Sequence, residues 1–245
     1  MAERFILSEF AYAHRGLWST AGPPENSLAA CLAAANEGLG IEFDVRPSAD
    51  DVPMVFHDAI LDRMTGETGL FETYTAAELS AMPLNNGGTI FSLETLLAEW
   101  PGTTPLLCEI KIDGKTDPKA FAGIVGAMLN AYSGPAASMS FSRTTVLALP
   151  SPLMHGQLIN AKSRTGEDFF YERLHSITSA QADYIGCHTS DAEEVRRHAD
   201  QYDLPVIVWT VEDAETCARL KPIVDAQIFS GFAPSLVKPS RLPDG

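Results

Sequence analysis

The sequence predicts an α/β fold, a single TIM-type (β/α)8 barrel spanning residues 1–245, and three observations carry that prediction. Short β-like runs alternate with amphipathic stretches about eight times from one end of the chain to the other, which is the rhythm of parallel βαβ units. The 245 residues are 45% hydrophobic, enough for one barrel of ordinary size with a sizeable core. The rhythm breaks only once, in a long stretch rich in Thr and Gly at about 58–90, which reads as a small insertion after the second strand. Such insertions decorate the loop face of barrels.

Taken in order, the candidate strands are 10–15, 40–45, 105–112, 136–141, 153–159, 183–187, 205–210 and 226–230. Between them, 25–38, 117–132, 191–202 and 211–221 have apolar residues at helical spacing. Asp117 and Asp191 stand where N-caps belong. Inside the insertion only TAAELSAM suggests a short helix. There is no internal repeat, linker or low-complexity tract.

Composition narrows the partners. The 32 acidic residues against 17 Lys plus Arg leave a formal net charge of −15, which repels nucleic acid and anionic lipid surfaces and argues against stable membrane association. A phosphate-bearing small molecule would therefore need local cations. Cys31, Cys108, Cys187 and Cys217 lie far apart with no C-x-x-C pair, so they read as reduced, buried apolar residues. The N-terminal apolar run is too short for a signal peptide, and no stretch reaches the roughly 18 apolar residues of a membrane span. A soluble cytoplasmic protein is expected; the chain carries no signal of oligomeric state.

The second strand, Ile41-Glu42-Phe43-Asp44-Val45, puts two carboxylates on one face and three apolar residues on the other. Glu109 and Lys111 repeat this device on the third, against Cys108, Ile110 and Ile112. Parallel strands are covered on both faces, so these charges are desolvated unless something compensates them. One divalent cation held by Glu42, Asp44 and Glu109 would do so, and an all-oxygen set suits Mg2+ or Ca2+ better than zinc. The alternative is a buried ion-pair network in which Lys111 neutralises Glu109 and Arg46 serves Asp44.

Ala13-His14-Arg15-Gly16 closes the first strand, where a barrel displays catalytic groups, and Gly16 allows a sharp turn. His57 follows the carboxylate strand, so two histidines are available to divide base and acid. Arg15 offers a planar fork of donors for a phosphate oxygen, and Lys111 a point charge for the same group. His155, His175, His188 and His198 fit no such pattern; His198 in particular reads as part of a solvated helix face. Asp191, Glu193 and Glu194 read as an exposed first turn.

Together, His14-Arg15-Gly16, Pro24-Glu25-Asn26-Ser27, Glu42-x-Asp44, His57-Asp58-x-x-Leu61-Asp62-Arg63-x-Thr65-Gly66, Glu109-x-Lys111 and Trp209-Thr210 resemble the glycerophosphodiester phosphodiesterase family. The resemblance implies a barrel in which Glu42, Asp44 and Glu109 bind one divalent cation and His14 and His57 are the acid and base. It further implies that Arg15 meets the phosphate and that the insertion caps the site. Trp209 and Phe141 would wall the glycerol or the departing alcohol; for both, a plain core role is the alternative. The implied reaction yields glycerol 3-phosphate and an alcohol from a small glycerophosphodiester. The sequence departs from the family after the last strand, where Phe229-Ser230-Gly231-Phe232 replaces a Thr-Asp pair. Two rival readings are a phospholipase-like lyase that stops at a cyclic phosphate and a non-catalytic barrel that binds a phosphorylated metabolite.

Overall fold

In the computed structural model, which describes residues 3–114 and 116–237, the alternating pattern becomes a closed ring of strands. The strands are β1 (Tyr12–His14), β2 (Gly40–Pro47), β3 (Pro53–Val55), β4 (Phe91–Ser92), β5 (Leu106–Ile110), β6 (Ala136–Ser140), β7 (Met154–Leu158), β8 (Tyr184–His188), β9 (Val206–Val211) and β10 (Ala226–Phe229). Eight of them, β1, β2 and β5 to β10, pair in parallel around the ring, and β10 returns to β1. The remaining two, β3 and β4, continue antiparallel off the edge of β2 and frame the insertion. This pair was not expected, because runs of three and two residues are too short to show a period.

The helices are α1 (Leu28–Asn36), α2 (Ala76–Ala81), α3 (Leu93–Glu99), α4 (Pro118–Ala131), α5 (Arg143–Ala148), α6 (Lys162–Thr165), α7 (Glu167–His175), α8 (Ala192–Ala199) and α9 (Ala214–Leu220). Most begin on a capping side chain. Ser27 caps α1, Asp117 caps α4 and Asp213 caps α9, while Thr75 and Glu78 close a reciprocal capping box on α2. The cap expected of Asp191 is absent: its carboxylate instead accepts from the backbone N–H of Lys162, 3.0 Å away, and is buried. His198 is likewise buried, with Nε2 2.9 Å from the carbonyl of Ile177, and not solvated. The cause is periodicity: Val195, His198 and Ala199 fall on the inner face of α8 despite its charged neighbours.

Two cores follow from the alternation. Outside the ring, Ile41, Phe43, Val45, Cys108 and Ile110 pack under the helices. Inside it, Tyr12, Leu107, Met139, Tyr184, Ile207 and Ile228 fill the lower barrel. The two tyrosine hydroxyls there are satisfied, Tyr12 donating to the Leu7 carbonyl at 3.1 Å and Tyr184 to that of Ser138 at 2.9 Å. A Cβ on Gly156 would stand 2.2 Å from the Tyr184 ring, so the glycine makes room for this plug. Among the described residues this plug fills the floor of the barrel interior, so a ligand reaches the interior from the upper mouth. A third, smaller core of Met54, Phe56, Leu61, Phe71 and Leu79 holds the insertion together, with Phe56 and Phe71 stacked at 4.8 Å. The expected domain limits, 1 and 245, lie outside the described residues.

Candidate functional site

At the upper mouth, where β-strands hand over to loops, lies a cleft of about 460 Å3. Its first wall comes from β2 and β5. The register sets Asp44 beside Glu109, and the alternation points both, with Glu42, away from the outer core. All three are buried, with one oxygen from each lying within 4.8 Å of the others. Burial, and then repulsion from Asp44 and Glu109, pushes the Glu42 carboxyl well above its usual range. Glu109 is raised too, burial being the largest cause. Asp44 is also penalised by burial, but Lys111 and Arg15 beside it win and hold it low.

The ion-pair network anticipated as the alternative is partly present. Lys111 Nζ stands 2.6 Å from Glu109 and 3.0 Å from Asp44, and Arg15 Nε stands 3.2 Å from Asp44. Asn26, which the sequence reading left without a role, donates to Asp44 Oδ2 at 2.9 Å. Arg46, however, does not serve Asp44. It meets Asp113, also on the cleft lining, at 2.5 Å and donates from Nε to the His57 carbonyl at 2.6 Å. The network also leaves one member out. Glu42 Oε2 is buried and makes no hydrogen bond among the described residues; its nearest cationic candidate, His14 Nε2, is 3.8 Å away. An orphaned carboxylate oxygen in an all-oxygen triad fits a hard divalent cation, since an uncompensated buried charge is costly.

The second wall carries the histidines. Arg15 and Gly16 both adopt left-handed backbone, φ 59° and 83°, and reverse the chain at the end of β1. The turn is locked by Arg15 N donating to the Glu42 carbonyl at 2.7 Å and by Asn26 N donating to the Arg15 carbonyl at 3.0 Å. Strain of this kind concentrates at working sites. His57 arrives from the excursion beyond β3, anchored by Phe56 N donating to the Asp44 carbonyl at 3.0 Å. Burial, and then the charge of Arg15, lowers His14 to about 3. His57 is lowered as well, mainly by burial, so both imidazoles are neutral near pH 7.

Behind the histidines runs a chain of paired charges whose members lie in the motifs around Glu25 and Asp58. His57 Nδ1 meets Asp58, Asp58 and Glu25 share Arg63, and Glu25 accepts from Arg15 Nη1 at 2.7 Å. Opposite the carboxylates, Phe141 and Trp209 meet edge to face at 5.5 Å and form an apolar wall, each only partly buried. Thus His14, Arg15, Glu42, His57, Glu109, Lys111, Phe141 and Trp209 all line one cleft, and Asp44 lies immediately behind it. The departing segment Phe229–Phe232 borders a separate hollow of about 250 Å3, beside Gly16 and Trp18.

A sequence model of the Glycerophosphoryl diester phosphodiesterase family matches residues 14–229. The chain belongs to this family. The Mycobacterium tuberculosis protein named Probable glycerophosphodiester phosphodiesterase 1 is 26% identical over 235 residues, covering 84% of this chain and 83% of that protein. Glycerophosphodiester phosphodiesterase 1 of Bos taurus is 45% identical over only 60 residues, 24% of this chain and 18% of that protein. Among solved structures, a glycerophosphodiester phosphodiesterase from Thermotoga maritima superimposes with a TM-score of 0.73 at 23% identity, covering 93% of this chain and 95% of the other. A phosphodiesterase from Oleispira antarctica, in complex with the product sn-glycerol-3-phosphate, gives 0.76 at 24% identity, covering 93% and 94%. The α/β barrel is the fold of these family structures, and the family and its relatives' names support glycerophosphodiester phosphodiesterase activity.

Proposed function

We propose that this chain, as one barrel domain, hydrolyses small glycerophosphodiesters to glycerol 3-phosphate and a free alcohol. It would use one divalent cation, Mg2+ or Ca2+, and the pair His14 and His57. The observation that carries the reading is the orphaned Glu42 Oε2 within a buried carboxylate triad, directly beside an imidazole. Glycerol 3-phosphate bound to the Oleispira relative supports the product.

Glu42, Asp44 and Glu109 would hold the cation, which supplies a lowered pKa for the glycerol hydroxyl and neutralises charge at phosphorus. Arg15 and Lys111 receive the non-bridging phosphate oxygens. Asp58 faces His57 Nδ1 and holds Nε2 toward the cleft. By itself the imidazole is neutral near pH 7, but the negative phosphate of a bound diester would add to Asp58 in favouring the imidazolium, so His57 would be the proton donor to the leaving alcohol once substrate is bound. His14 then removes the proton of the hydroxyl next to the ester. That oxygen bonds to phosphorus as the ester oxygen departs with the proton from His57, giving a cyclic phosphate. Water opens the ring with the two roles exchanged, so that protons balance over the cycle. Trp209 and Phe141 shield the organic part of the substrate from water.

The test is release of glycerol 3-phosphate from a panel of glycerophosphodiesters, abolished by EDTA and restored by Mg2+ or Ca2+. Hydrolysis undiminished by chelation overturns the cation. Phosphorus NMR separates hydrolysis from a lyase reaction, whose product would remain the cyclic phosphate. No helix among the described residues is long and apolar enough to cross a membrane. Four free, buried cysteines fit a reducing cytoplasm.

A further inference from the structure

We propose that Arg164 selects diesters whose leaving alcohol carries a second negative charge, a carboxylate or phosphate, over those whose alcohol is a quaternary ammonium. The inference rests on the glycerophosphodiester reading above and specifies the substrate class of the same cleft.

The ring order places β7 four strands from β1 in either direction, so the segment after β7 faces the His14 and Arg15 turn across the mouth. That segment contributes Asn160 and Arg164 to the cleft. With glycerol required at the carboxylates for its hydroxyl to react, the other alcohol extends toward the opposite, exposed rim.

Among the described residues, four arginine and lysine side chains line the cleft, and three are already matched: Arg15 with Glu25 and Asp44, Lys111 with Glu109 and Asp44, and Arg46 with Asp113. Arg164 is exposed and has no side-chain hydrogen bond or ion pair among the described residues. Its neighbour Lys162 is committed elsewhere, 2.7 Å from Glu194 and over the Tyr171 ring. The free guanidinium is thus the group at the rim whose fork of donors awaits a carboxylate or phosphate.

Aromatic rings alone would argue for the opposite head group, because Trp209 and Phe141 could attract a quaternary ammonium. That end of the cleft is already cationic, however. Lys111 Nζ stands 6.0 Å over the Phe141 ring, and Arg164 on the same lining has no carboxylate among the described residues to offset its charge. Specificity of this kind comes from repelling the wrong partner as well as holding the right one.

The experiment compares kcat/KM for diesters of glycerol 3-phosphate with a glycerol phosphate, with glycerol and with choline, in the wild type, Arg164→Gln and Arg164→Glu, each checked for an unchanged melting curve. In the wild type the anionic diester should exceed the choline diester by about 5-fold or more, as expected of one partly exposed charge contact. Arg164→Gln should flatten the ratio and Arg164→Glu invert it, the changes lying mainly in KM and shrinking as salt rises. A ratio that stays the same in Arg164→Glu, or a wild type that prefers choline, overturns the inference while leaving the activity standing. Absence of turnover for all three diesters overturns the reading of the cleft and this inference with it.

Discussion

His57 Nδ1 lies 2.7 Å from Asp58 Oδ1, and Arg63 grips the same carboxylate from the other side, Nε to Oδ2 at 2.6 Å. A proton donor held in this way matters only when the leaving group needs protonation. Asp58→Asn and His57→Ala should therefore lower turnover of an alkyl diester by about 10-fold and about 100-fold or more, respectively. Both should recover most of it on a nitrophenyl diester, whose leaving group departs as an anion. Equal losses on both substrates would reassign His57 to the base.

His14→Ala should behave differently. If His14 takes the hydroxyl proton, its loss of about 100-fold persists with the nitrophenyl leaving group. Steady-state rates on the two substrates, compared between the two histidine variants, give the assignment directly.

Glu42 Oε2 makes no hydrogen bond among the described residues, and burial, which pushes the Glu42 carboxyl up, disfavours its ionised form. In EDTA at pH 7, Glu42→Gln should raise stability by about 1–3 kcal/mol, since a buried charge is removed and an amide remains. It should also weaken divalent-cation binding and abolish most activity. Urea denaturation with and without the cation checks this; a destabilised, metal-free variant would contradict it.

Asp58 behaves in the opposite sense. Burial alone would raise it, but the hydrogen bonds from Arg63 and His57 hold it at about 2. Its folded pKa is thus below the ordinary carboxylate value, so the unfolded chain takes up a proton first as pH falls. The stability it contributes is complete above about pH 4 and lost between about pH 4 and 2. Arg63→Gln should flatten that part of a plot of Tm against pH. An unaltered acid limb would show that the pairing carries no linkage.

Gly16 has a φ of 83°, and a Cβ there would meet the Ala30 carbonyl carbon at 2.6 Å. Gly16→Ala should cost about 1–3 kcal/mol, several degrees in Tm, and distort the His14–Arg15 turn. A variant with wild-type Tm would mean the turn relaxes at little cost.

Much of this was legible in the residues, for a physical reason. Alternation with a period of two assigns Glu42, Asp44 and Glu109 to one face without knowledge of any partner, and a glycine after His14 signals the turn. What escaped depends on long-range pairing. Asp191 looks like any N-cap until Lys162 N approaches it from another segment, and His198 looks solvated until Ile177 covers it. Arg46, two positions along β2 and on the same face as Asp44, suggested a pair, yet Lys111, Arg15 and Asn26 already surround Asp44, and Arg46 meets Asp113 from another segment instead. Asn26, Glu25 and Arg63 meet the site only through contacts across 10 to 38 positions.

The tyrosine plug beneath the cleft has a kinetic corollary. A chamber with one doorway is a last-in, first-out vessel: the molecule lodged at the bottom cannot depart until whatever stands above it has gone. On the proposed course, with glycerol seated by the carboxylates, the freed alcohol would have to exit before water could arrive, and glycerol 3-phosphate would be the final passenger to leave.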